Sequence, residues 1–120
     1  MIDIFSLSVE EIASKIKEGH LSSVEVCKKY IERISKFEKD IKAWVHFDKK
    51  VLLEKAADSD EHRKSGKPVG SLHGVPIALK DIIGTVDMPT ECGTTIRKGK
   101  SYSQNAEIVE LLYSAGAIVM

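Results

Sequence analysis

No sign of charge dominates this chain: Lys+Arg and Asp+Glu each total 18 in 120 residues, a formal net charge of zero. A protein that grips a phosphate backbone needs a basic stripe, because lysine and arginine must replace the counterions. No direct nucleic-acid binding is therefore expected. Long apolar runs are also missing, and none approaches the roughly 20 residues that cross a bilayer. The start, Met1-Ile2-Asp3-Ile4-Phe5, has no basic segment followed by a long apolar one. No signal peptide and no membrane attachment are expected, and a cytoplasmic location is the default. Cysteine is scarce: Cys27 and Cys92 stand far apart in no zinc or redox spacing, and both are expected to be free and structural. The histidines His20, His46, His62 and His73 form no i, i+4 pair, so no metal site is expected, and no cofactor motif occurs. Internal repeats and low-complexity segments are absent as well.

What is present is an ordinary globular balance, 42% hydrophobic and 30% charged residues, in a length that suits one small domain. The first half reads as helices. Ser8-Val9-Glu10-Glu11 has the form of a capping box, in which hydroxyl and carboxylate satisfy each other's backbone amides. It opens a helix with Val9, Ile12, Ala13 and Ile16 on one stripe, closed by Gly19. Ser22-Ser23-Val24-Glu25 repeats the signal before Val24, Cys27, Ile31 and Ile34 at helical spacing. The alternating Ala43-Trp44-Val45-His46-Phe47 predicts a strand. A third helix is predicted over about Lys49 to Ser65, with Val51, Leu52, Lys55, Ala56 and Ser59 along one side and Gly66 ending it.

The character changes at Gly66-Lys67-Pro68-Val69-Gly70, where glycine and proline mark a loop. Beyond it the pattern predicts a strand through Val75-Pro76-Ile77-Ala78-Leu79-Lys80-Asp81-Ile82-Ile83, then a long connection through Gly84, Asp87, Pro89 and Gly93. A helix capped by Asn105 follows, bearing Ile108, Leu111, Leu112 and Ala115 and ended by Gly116. Ala117-Ile118-Val119-Met120 has the unbroken apolar character of a buried parallel strand. The order points to an α/β or α+β arrangement.

Lys80 is out of place in such a strand. Alternation puts it on the face of Ala78 and Ile82, with Asp81 opposite. An ammonium on an apolar face either finds a partner or has its pKa depressed, and a lysine made neutral can act as a general base. The plainer reading is a lysine at a strand end, its stem on apolar surface and its head in water. From the residues alone both stand.

The block Gly70-Ser71-Leu72-His73-Gly74-Val75-Pro76-Ile77-Ala78-Leu79-Lys80-Asp81-Ile82 resembles the lysine block of the amidase signature family. That family includes amidases, fatty acid amide hydrolases and the A subunit of glutamyl-tRNA(Gln) amidotransferase. Leu21-Ser22-Ser23-Val24-Glu25-Val26 with Tyr30-Ile31-Glu32-Arg33-Ile34 is similar to an early helix of the family, and Trp44-Val45 to the strand after it. Pro89-Thr90-Glu91-Cys92-Gly93-Thr94 is similar to a family loop, and 106–117 to the helix and turn before the next strand. Ser71 in place of a common proline and Glu91 in place of a common threonine are departures.

The resemblance implies an α/β fold: N-terminal helices plus the first strands of a mixed sheet, incomplete in this chain. Residues 1–120 would form the N-terminal portion of one amidase domain, with 1–66 mostly helical and 67–120 starting the catalytic core. It implies an amidase hydrolysing carbon–nitrogen bonds of small-molecule amides through a Ser–cis-Ser–Lys triad, without metal or cofactor. Lys80 is the one catalytic residue this chain supplies. Ser71, Ser101, Ser103 and Ser114 do not match the family's triad serines, so the chain alone is expected to be inactive. Asp81 is expected to hold backbone amides, and His73 to be a hydrogen-bonding structural residue. Thr90, Glu91, Cys92 and Gly93 either line a pocket mouth or form a surface loop. Two alternatives remain: the glutaminase subunit of a glutamyl-tRNA(Gln) amidotransferase, and a truncated, non-catalytic interaction module. Apolar helix faces left uncovered would favour a homo-oligomer or a partner subunit.

Overall fold

The computed structural model describes residues 2–120. Both capping boxes form as read. Ser8 Oγ accepts from Glu11 N at 3.2 Å while Glu11 Oε2 accepts from Ser8 N at 2.7 Å, and α1 runs Val9–Glu18 to a left-handed Gly19. Ser22 and Glu25 make the same exchange at 3.1 and 2.8 Å and open α2, Ser23–Ile41. The Asp48 carboxylate caps α3, Lys49–Lys64, by taking the amides of Lys50 and Val51. Then follow β1 (Pro76–Ile77), a long connection with one 3-10 turn (Thr95–Arg97), α4 (Glu107–Ser114) and β2 (Ile118–Val119). The two strands pair in parallel, Pro76 opposite Ile118 and Ile77 opposite Val119. Helices and a short parallel sheet make this an α/β arrangement, as the sequence predicted.

Three local expectations are corrected. Ala43–Phe47 forms no strand. Lys42 turns left-handed at the end of α2, Glu38 Oε1 takes the Trp44 amide at 2.8 Å, and the Trp44 and Phe47 rings pack 4.9 Å apart. The aromatic alternation serves this local packing instead of a ladder. The strand bearing Lys80 is also shorter than predicted, because β2 offers β1 only two partners and the ladder ends at Ile77. Lys80 lies beyond it, exposed, with its carbonyl taking the amides of both Ile82 and Ile83 in a tight turn. Lastly, Ala106 stands at the cap of α4 with no side-chain hydrogen bond. Asn105 instead joins Val86 N and the Glu110 carboxylate at 2.9 and 2.7 Å.

The core has two parts. Ile4, Ile12, Ile16, Leu21, Val26 and Val75 close α1 and the start of α2 against the segment leading into β1. Cys27, Leu52, Ala56 and Ile118 join α2, α3 and β2. Each fully buried aliphatic side chain contributes about 1.5–3 kcal/mol relative to exposure, so helices and sheet share one source of stability.

A polar knot fixes how that sheet meets the helices. Asp60, buried on α3, accepts from the amides of Ser23 and Val24 at 2.8 and 3.1 Å, satisfying free donors at the start of α2. The Ser23 hydroxyl donates to the carbonyl of Gly74 at 2.5 Å. Gly74 has φ +74, and a side chain there would press on Ser23 Cβ at 3.0 Å. Its amide donates to Gly116 O at 2.9 Å, and the Leu72 amide donates to Ala115 O at 2.9 Å. Gly116 itself sits at φ +84 with His73 Cα only 2.9 Å from where a Cβ would be. Two chain segments are thus clasped backbone to backbone immediately before β1 and β2.

Candidate functional site

Lys80 borders a concave site of about 250 Å³. One wall is the continuation of β1: Leu79, Lys80, Asp81 and Ile83. The facing wall is the loop from Thr85 to Thr90, and the rim is completed by Ala43–His46 and Met120. The segment expected to be a strand therefore contributes to the site as a loop. None of the described ion pairs uses the Lys80 ammonium. The buried apolar face expected for it is not formed by these residues.

The loop facing Lys80 is held almost wholly by hydrogen bonds. Asp81 contributes two: its Oδ1 accepts from Glu91 N at 2.8 Å, and its carbonyl accepts from Cys92 N at 3.0 Å. This is the amide-holding role expected of it. Thr90, buried at 2% exposure, donates its amide to Lys100 O, and its own carbonyl accepts from Arg97 Nε at 2.9 Å. The Glu91 carboxylate accepts from Gly99 N at 2.6 Å. Thr85, equally buried, exchanges hydrogen bonds with both backbone groups of Met88. Thr90 thus lines the site, whereas Cys92 and Gly93 project from it and are exposed.

His73 is elsewhere. Its Nε2 donates to Ser59 O at 2.8 Å and its ring lies 5.3 Å from that of His62, in a separate hollow beside α3. It is a hydrogen-bonding structural residue, as read. Ser71, Ser101, Ser103 and Ser114 are all exposed, and none lines the hollow beside Lys80. Cys27 is buried, and burial pushes its thiol up to about 12; it is inert, while Cys92 is accessible. Among the described residues no three His, Cys, Asp or Glu side chains gather to hold a metal ion. Among the described residues no helix is long and apolar enough to cross a membrane.

The sequence reading missed a second fastening. Tyr113 of α4 donates to Asp87 Oδ2 at 2.8 Å, and Lys55 of α3 stands 3.5 Å from the same oxygen. Burial and then the Asp87 hydrogen bond push the Tyr113 phenol well above its usual range. Only a tertiary contact brings these three together. Helical spacing did place Lys55 on the inward side of α3, the one signal available.

The family model described as Amidase matches residues 25–120. Among curated proteins, the A subunit of the glutamyl-tRNA(Gln) amidotransferase of Salinispora tropica is 35% identical over 120 residues, covering all of this chain and 24% of that protein. Among solved structures, a fatty acid amide hydrolase superposes with a TM-score of 0.88 at 31% identity, over 97% of this chain and 21% of that one. The native peptide amidase from Stenotrophomonas maltophilia gives a TM-score of 0.85 at 28% identity, over 96% of this chain and 24% of that one. The chain spans about a quarter of the length of the relatives it matches.

Proposed function

The chain belongs to the amidase family, and from that premise we propose that it supplies the lysine base, Lys80, of an amide-hydrolysing site. The observation carrying this reading is the position of Lys80: it stands just past the end of β1, on the wall of a concave site, within the matched residues. In this reading neutral Lys80 withdraws a proton through a bridging serine from a second, nucleophilic serine. That oxygen attacks the amide carbonyl, the carbon–nitrogen bond breaks as the amine leaves with a proton, and water then cleaves the acyl-serine ester. Both serines would come from sequence outside these residues, and so would the desolvation that lowers the lysine's pKa and keeps it neutral for the task. Residues 1–66 would form the helical support and 67–120 the start of the catalytic core, in a cytoplasmic enzyme.

The names of the relatives favour one further reading. Several belong to a glutamyl-tRNA(Gln) amidotransferase, so the amide would be glutamine and the chain would work beside a partner subunit. Exposed Ile41 and Val45, at 65% and 66%, supply apolar surface for such a neighbour or for another copy.

The test is a chimera in which residues 1–120 replace the matched quarter of the Salinispora tropica relative. Amide hydrolysis by the folded chimera should fall at least about a thousandfold in Lys80→Ala, the scale of losing a general base. Near-normal turnover in that variant would overturn the assignment. The 120-residue chain alone should show no turnover above its own Lys80→Ala control.

A further inference from the structure

We propose that Asp81 is a positioning residue: its carboxylate holds Glu91, the neighbour of the wall residue Thr90, so that the spacing between base and facing wall is set by the residue next to the base. The placement begins with the chain's course. Three residues past β1, the backbone turns at Lys80, whose carbonyl accepts from the Ile82 and Ile83 amides, and this turn brings both acceptors of Asp81 to the loop beyond Thr90. One is a side-chain oxygen, to Glu91 N at 2.8 Å, and the other a carbonyl, to Cys92 N at 3.0 Å. Consecutive amides of one loop are therefore gripped by one residue. The loop has no aliphatic core of its own to hold it, since Thr90 is its one buried residue and Cys92 and Gly93 are exposed. Cys92 adopts a left-handed φ of 53, uncommon for a side chain with a Cβ. The grip is what keeps it there.

A carboxylate accepting an amide hydrogen bond holds about ten- to a hundredfold in an opening equilibrium. Substitution of Asp81 should thus loosen the loop at Glu91, with the backbone bond to Cys92 N remaining, and should not unfold the helices, whose cores lie elsewhere. Asn retains an acceptor oxygen at the same reach and should hold the loop in part, whereas Ala should not.

Amide hydrogen exchange on the 120-residue chain tests the grip directly. In the unaltered protein the Glu91 amide should exchange at least tenfold more slowly than that of Gly93, which has no acceptor among the described residues. Asp81→Ala should raise Glu91 exchange about ten- to a hundredfold, with Asp81→Asn intermediate. A spin label on exposed Cys92, with Cys27 buried and unreactive, should sharpen its lines in the same order. Equal exchange at Glu91 and Gly93 in the unaltered chain overturns the proposal even if Asp81→Ala fails to fold. So does a Glu91 rate indifferent to Asp81→Ala.

The activity arm rests on the amide-hydrolysing reading and uses the chimera. There Asp81→Ala should raise KM about tenfold while the pH dependence of kcat stays in place, because the wall moves and the base does not. Asp81→Asn should recover much of that loss. A shifted pH profile with KM unchanged would overturn positioning in favour of a direct charge effect on Lys80. A chimera without Lys80-dependent turnover sinks the hydrolase reading, and the exchange arm then decides the grip by itself.

Discussion

The two halves of the chain are held by different physics. From Val9 to Lys64 three helices put aliphatic side chains into shared cores, and their first amides are satisfied by local caps and, at the start of α2, by Asp60. From Ala78 to Ala106 there is no α-helix or strand, and order comes from single hydrogen bonds made by Asp81, Thr85, Glu91, Arg97 and Asn105 to the backbone. Burial is non-directional and tolerates small shifts, whereas a hydrogen bond holds only within a few tenths of an ångström. A frame that stays put and a rim that can be adjusted are the result, with Lys80 at the junction between them.

Substitutions should separate the halves by size of effect. Ile16→Ala empties a fully buried position and should lower stability by about 2–5 kcal/mol in urea unfolding. A loss under about 1 kcal/mol would mean the helical half does not rest on its core. Asp60→Ala strands the Ser23 and Val24 amides and should cost about 1.5–3 kcal/mol, measured the same way, with Asp60→Asn recovering part. Thr85→Ala, in the second half, should cost only about 1 kcal/mol globally. Its exchange rates should rise at Met88 alone, and a larger, global loss would erase the distinction between frame and rim.

The smallest effect is in the caps. Glu25 has its carboxyl held below the usual range, first by the Ser22 amide and then by the Ser22 hydroxyl. A depressed folded pKa gives stability that is fully present above the unfolded value and is lost as pH falls through the folded one. Ser22→Ala should therefore cost about 0.5–2 kcal/mol near neutrality and progressively less in acid, read from thermal melts across pH. An undiminished difference at low pH would show that the Ser22 hydroxyl does not help to hold the Glu25 carboxylate.

Legibility followed the same division. Capping boxes and apolar spacing are local, so Ser8, Ser22, Gly19 and most of the stripes of α1 to α3 could be read directly, although Val9 and Val51 of those stripes lie exposed; of Ala117–Met120, Ile118–Val119 pair as the parallel strand. The rim could not. Whether Ala43–Phe47 becomes a strand depends on a neighbour to pair with, and whether β1 reaches Lys80 depends on the length of β2; neither is written in the segment itself. The knot of Ser23, Asp60 and Gly74 unites residues from three regions of the chain, and no spacing announces it. Lys80 was found because an ammonium interrupts an apolar run, yet the burial inferred from that run is not what surrounds it in this chain.

The clasp of Leu72 and Gly74 on Ala115 and Gly116 has a consequence for chain entropy. It closes the chain into a ring at its base, so that everything from Ala78 to Ala106 is an insert between two points already fastened. Once such a ring is closed, doubling the length of the insert adds only about 0.6 kcal/mol of closure entropy. The loop facing Lys80 can thus lengthen or shorten at little cost to folding while the frame beneath keeps its shape.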